Sequence, residues 1–204
     1  MNFDPPHIYH VYNQGNNSKQ IFSAHADYAT FLQLFKSYCL SYCDVLAWCL
    51  LPNHFHFMLA ANDRCDECIK QGNLVLDPLS NGFRKLLSSY AHDFNKRNNT
   101  SGSVFRPKTK AKDLSELQLV SSFTHSDYYA NCFYYVHQNP FRHALVADLF
   151  NWKYSSFLFY AGLRSRDFSN KEMAMEICDY NPATFLTTVV NRIPDEFIGL
   201  LQDH

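Results

Sequence analysis

The chain has 204 residues, a formal net charge of −1, and is 47% hydrophobic, 16% aromatic and 18% charged. This composition can bury a real core and excludes a disordered tail protein, a collagen and a coiled coil. With 6 glycines a Gly-rich phosphate-binding scaffold is not expected, and no apolar run is long enough to span a bilayer. Residues 7–13 alternate and are rich in Tyr, Ile and Val, which predicts a strand ended by Gln14-Gly15-Asn16-Asn17. Ser23 is placed to cap a helix over 24–42, with Tyr28, Phe31, Leu32, Phe35 and Leu40 at helical spacing. Residues 45–51 read as a buried strand, Pro52-Asn53 as a turn, and 54–60 as the second strand of a hairpin.

Residues 63–72 form a polar stretch that reads as a loop and contains Cys65 and Cys68. A second amphipathic helix is expected over 79–96, with Phe83, Leu86, Leu87, Tyr90 and Phe94 on one side. Residues 103–112 are basic and extended. Ser126 or Asp127 can cap a third helix through 137, stopped near Asn139-Pro140. Further helices are expected around 170–178 and 183–201. The order β-α-β-β-α-β, with helices after it, predicts an α+β fold. It is a split βαβ unit whose central antiparallel sheet carries helices on one face.

Charge and cysteines narrow the partners. Residues 84–112 hold 8 Lys/Arg and one acid, Asp93, whereas 1–83 hold 4 and 7 and 113–204 hold 6 and 11. One concentrated basic block in a near-neutral chain can hold a polyanion or can be a solvated face. The N-terminal residues have no basic and apolar signal pattern, so a reducing cytoplasm is the expected compartment for the 7 cysteines. A lone CxxC lacks the second pair that a structural zinc site needs.

Two segments carry chemistry. In His54-Phe55-His56, strand periodicity sends both imidazoles to one face, about 7 Å apart at Cα, and Phe55 to the other. Such a pair can share a metal ion, although on an exposed strand it can equally be surface decoration. In 133–140, Tyr135 and Asn139 are four apart, as are Tyr134 and Gln138, so each pair shares a helix face. A tyrosine beside a metal-bound phosphate can act as a nucleophile, with the amide oxygen as a further ligand. The same aromatics also fit a core-facing stripe.

Together, residues 9–17 (YHVYNQGNN), 51–59 (LPNHFHFML), 135–146 (YVHQNPFRHALV) and 151–156 (NWKYSS) resemble the single-tyrosine HUH transposases, most closely the REP-associated tyrosine transposase branch. The resemblance covers residues 7–162. It divides the chain into a domain over 1–162 and a C-terminal helical extension over 163–204 of unassigned role. It implies a ferredoxin-like sheet with the His pair on a central strand. The implied activity is cleavage and joining of single-stranded DNA, often beside a hairpin, through a 5′-phosphotyrosine link and a free 3′-OH.

By that resemblance Mg²⁺ or Mn²⁺ is held by His54, His56 and an amide. Tyr135 with Asn139 is the preferred nucleophile and ligand, because Tyr135 precedes an aliphatic residue; Tyr134 with Gln138 is the alternative. His137 is read as structural. Arg84, Lys85, Arg106, Lys108, Lys110 and Lys112 are expected to track the DNA backbone, and Phe105 to stack on unpaired bases. Gln14 stands where the family often has Arg. Monomer and homodimer are both compatible with the resemblance. The rival readings are a non-catalytic hairpin-binding regulator and a zinc hydrolase, the latter without any HExxH spacing to support it.

Overall fold

The computed structural model describes residues 1–71, 74–116 and 124–201; Gly72, the expected end of the polar loop, lies outside them. Strand β1 (Ile8–Gln14) leads to helix α1 (His25–Tyr38), then to the hairpin of β2 (Cys43–Leu51) and β3 (His54–Ala61). A small hairpin of β4 (Ile69–Gln71) and β5 (Leu74–Leu76) precedes helix α2 (Pro78–Asn98) and strand β6 (Lys110–Asp113). Helix α3 (His125–Arg142) follows, and then α4 (Phe157–Tyr160), α5 (Lys171–Ile177), α6 (Phe185–Thr188) and α7 (Asp195–Leu201). The main sheet has the order β2-β3-β1-β6 with every neighbouring pair antiparallel, the ferredoxin-like arrangement of a split βαβ unit.

Alternation sorts the strand residues onto two faces. Tyr9, Val11, Phe55, Phe57 and Leu59 point to one side and pack with Phe31 and Phe35 of α1 and Phe83, Leu86 and Tyr90 of α2. Phe35 and Phe57 stack with ring centroids 4.2 Å apart. Ile8, Met58 and Ala60 point to the other side, against α3 and the C-terminal helices. A bulge between Val45 and Ala47 resets the parity of β2, so Val45 and Trp48 share the first face although they are three positions apart. Helices on one face therefore describes only α1 and α2. The second face is apolar over most of its length, and Phe133, Val136, Phe185, Val189 and Phe197 bury that part.

The caps differ from those the sequence suggests. No side chain at Ser23 caps α1; instead Asp27 accepts the N–H groups of Ser23 (2.8 Å) and Ala24 (2.9 Å) from inside the first turn. Asp27 also pairs with Arg97, tying the start of α1 to the end of α2. The expected helix over 24–42 ends at Tyr38, with a 3-10 turn at Leu40–Tyr42. The two helices approach closely at Gly82, where a Cβ would lie 2.3 Å from the Tyr38 carbonyl oxygen.

Helix α3 is capped by Thr124 in a reciprocal box with Asp127, which makes Asp127 the third helical residue rather than the cap. The helix also runs through Pro140 to Arg142 rather than stopping at Asn139. Proline within a helix removes one bond of the ladder, and the end is re-closed beyond it. Leu145 N–H donates to the Pro140 carbonyl (2.9 Å) and Ala144 N–H to that of Phe141 (2.9 Å), with Ala144 at φ 53°. The helix expected over 183–201 is two short helices; α6 ends at Thr188, and α7 begins directly after Pro194, which disfavours helical backbone at Ile193.

The 151–156 segment runs beside β2. Leu50 N–H donates to the Tyr154 carbonyl and Ser156 N–H to that of Trp48, both at 2.9 Å. Ser156 Oγ also accepts the Trp48 N–H (3.0 Å) and meets His137 Nε2 at 2.8 Å, so it clamps α3 to β2. His137 is fully buried there, away from the histidine pair, as its structural reading requires.

Candidate active site

The face of the sheet under α3 is apolar except at one end, where β1 and β3 contribute His10, Tyr12, His54 and His56. Tyr12 lies opposite His56 in the strand register. A cavity of about 270 Å³ opens there, lined by Tyr12, His54, His56, Tyr135, His143 and the basic side chains of Arg106, Lys108 and Lys110, among others. The His54 and His56 ring centroids are 5.1 Å apart, as same-face residues of one strand should be.

Both imidazoles are held by their Nδ1 atoms. His54 Nδ1 meets Asn53 Oδ1 at 2.6 Å, and His56 Nδ1 meets His10 Nε2 at 2.9 Å. The Asn53 oxygen accepts from His54 Nδ1–H, and in the tautomer in which His56 Nδ1–H likewise donates to His10, each Nε2 keeps its lone pair. The buried His56 Nε2 has no hydrogen-bond partner among the described residues. Burial, with His143 adding repulsion, pushes the His54 imidazole down to about 3. Burial and then the neighbouring His10 hold His56 well below the usual histidine range. Neutral rings with one nitrogen fixed and the other bare have the donor chemistry of metal ligands. His10 was not singled out by sequence; the signal for it is its even spacing from Tyr12 on β1.

Helix α3 presents its two tyrosines to different surroundings, as positions about 100° apart must. Tyr135 meets His56 edge-on at 5.7 Å and His10 at 5.8 Å, and lines the cavity. The Arg142 guanidinium lies 5.7 Å from its ring centroid. Tyr134 instead stacks on Phe185 of α6 at 6.2 Å. Gln138 donates to the carbonyls of Val189 (2.7 Å) and Asn191 (2.8 Å), so the Tyr134–Gln138 pair faces the C-terminal extension. Asn139 is fully buried; its Nδ2 donates to the Tyr135 carbonyl (2.9 Å), and its Oδ1 has no partner among the described residues.

The basic block divides. Arg106, Lys108 and Lys110 line both the histidine cavity and a groove beside it, which Arg84 joins while bonded to Asn81 at 2.9 Å. Lys85 is exposed on α2 and lines neither. Lys112 donates to the Leu200 carbonyl of α7 and is turned toward the extension. Phe105 packs in the core against Phe31, Phe55 and Tyr90 and shows only an edge to the groove, which it helps to line.

Among the described residues, the one set of three His, Cys, Asp or Glu groups with ligand atoms within 4.8 Å of one another is His7, Asp113 and Glu116. His7 Nδ1 is 2.8 Å from Asp113 Oδ2, an ion pair when the ring is protonated. Cys65 donates to the Tyr42 carbonyl and Cys68 is exposed, with no gathering of further ligands around them among the described residues. No helix of the described residues is long and apolar enough to cross a membrane.

No family model matches the chain, and no curated protein matches it in sequence. Among solved structures, the chain is similar in fold to a REP-associated tyrosine transposase bound to a REP hairpin. The TM-score is 0.54 at 14% identity, covering 83% of this chain and 88% of that one. A likeness at this identity shows the shared α+β architecture.

Proposed function

We propose that this chain is a divalent-metal-dependent transposase that cuts and rejoins single-stranded DNA at hairpins through a covalent tyrosine intermediate. The observation that carries the reading is one cavity that gathers the Tyr135 ring, the His54 and His56 imidazoles and three cationic side chains. The similarity of fold to a transposase bound to a REP hairpin supports the choice of substrate.

In this reading Tyr135 Oη bonds to the scissile phosphorus and gives its proton to solvent water. The bond from phosphorus to O3′ breaks, O3′ takes a proton from solvent and leaves as a hydroxyl, and the 5′-phosphate stays on the tyrosine. Attack by a 3′-OH on that link reverses the step and joins strands. His54, His56 and the Oδ1 of Asn139 would hold a divalent cation, Mg²⁺ or Mn²⁺, which when bound would supply polarisation of the phosphate and offset its growing charge. The bare His56 Nε2 and Asn139 Oδ1 fit that role, since each is a buried lone pair in need of a partner. His10 and Asn53 hold the two rings in the metal-binding tautomer. Arg106, Lys108, Lys110 and Arg84 hold the DNA backbone.

Labelled hairpin DNA incubated with Mn²⁺ and run on a denaturing gel tests this. Wild type and Tyr134→Phe are expected to give a protein-linked band, and Tyr135→Phe none. A wild type that binds the hairpin and forms no adduct would instead establish a regulatory binding protein.

A further inference from the structure

The histidine cavity has a third imidazole on its wall, His143. It caps α3 two turns beyond Tyr135, so Tyr135, Asn139 and His143 recur at every fourth position and share one helix face. Successive turns of that face meet same-face residues of β3. Tyr135 lies against His56 at 5.7 Å and His143 against His54 at 4.7 Å, with the latter rings inclined at 67°. The His143 ring makes no hydrogen bond among the described residues, and its side chain is exposed. Nitrogen atoms of the three rings do not all lie within 4.8 Å of one another. His143 therefore reaches a cation shared with His54 and His56 by turning its side chain, which its exposure allows.

Resting on the reading above, we propose that His143 supplies a third imidazole to the metal held by His54 and His56. Its chemical consequence is a change of metal preference. Imidazole nitrogen suits Co²⁺ and Zn²⁺, whereas Mg²⁺ gains little from a further nitrogen ligand and keeps its waters. An added imidazole strengthens binding of the former ions far more than that of Mg²⁺.

The test is metal binding by the full chain, read without DNA or activity. Co²⁺ is titrated into wild type, His143→Ala, Asn139→Ala and His54→Ala, following heat and visible absorption, with thermal melts to confirm folding. The expected result for His143→Ala is Co²⁺ affinity weaker by at least the roughly 10–100-fold that even an outer-shell loss produces. Its absorption bands should shift, and Mg²⁺ affinity should change far less. His54→Ala should abolish Co²⁺ binding. If His143→Ala keeps the wild-type affinity and spectrum while His54→Ala loses both, the third imidazole is refuted and the two-histidine site stands. If wild type binds no Co²⁺, Mn²⁺ or Mg²⁺, the metal site and this inference fall together.

Discussion

Replacing Ala144 by glycine should stabilise the protein. Ala144 sits at φ 53° just past the end of α3, where the Ala144 and Leu145 N–H groups close the helix. An L-residue with a Cβ loses roughly 1–2 kcal/mol in left-handed backbone, and glycine does not. Against that gain stands the extra freedom of glycine in the unfolded chain, about 0.4–1 kcal/mol. Ala144 is exposed, so its methyl group contributes little packing. The balance is a gain of about 0.5–1 kcal/mol, or about 1–4 °C in Tm for a chain of this size. Urea and thermal unfolding of Ala144→Gly beside wild type measure it, with an unchanged slope against urea required. A lower Tm would mean that the helix does not end in this left-handed closure, and that His143 is not held where the structure places it.

Gly82→Ala is expected to destabilise by about 1–3 kcal/mol, since its Cβ would lie 2.3 Å from the backbone oxygen of Tyr38; urea unfolding reads this. Converting Arg106 and Lys108 to Gln should weaken hairpin binding and reduce the magnitude of the log–log salt slope by about 1 for each phosphate no longer neutralised. Lys85→Gln, at a side chain that lines neither the cavity nor the groove, should leave that slope unchanged. The hydrogen bond that His7 donates to the Asp113 carboxylate raises the His7 pKa above 6.5, so its stabilising contribution is complete below that value. That contribution is lost as pH rises through the folded pKa. An NMR titration of Asp113→Asn should move the His7 midpoint down toward 6.5.

Much of the sheet was legible because burial imposes a period of two. The sequence 54–60 puts Phe55, Phe57 and Leu59 on one face and both histidines on the other, and the structure keeps that division. The bulge at Leu46 was not legible, since Val45 to Leu51 is apolar throughout and gives no phase. The three-residue strands β4 and β5 are too short to show any period. Pro140 reads as a stop, yet one missing bond costs less than abandoning a helix face buried on the sheet. Spacing alone left Tyr134 and Tyr135 equivalent; Phe185 and Gln138 distinguish them, and those contacts belong to an extension that the family resemblance does not cover. His143 had no signal in sequence, because its neighbour His54 lies 89 positions away.

The segment beside β2 has a consequence for assembly. The outward hydrogen-bonding groups of β2 are taken by Tyr154, Ser156 and Asn170, so that border of the sheet has little left to offer another strand. The opposite border is β6, only four residues long and carrying Lys110 and Lys112. Short length and like charge discourage a foreign strand from docking there. The sheet is thus closed to growth from both sides, by a covering segment on one and by charge repulsion on the other. Pairing of two copies through an edge of the main sheet is therefore disfavoured.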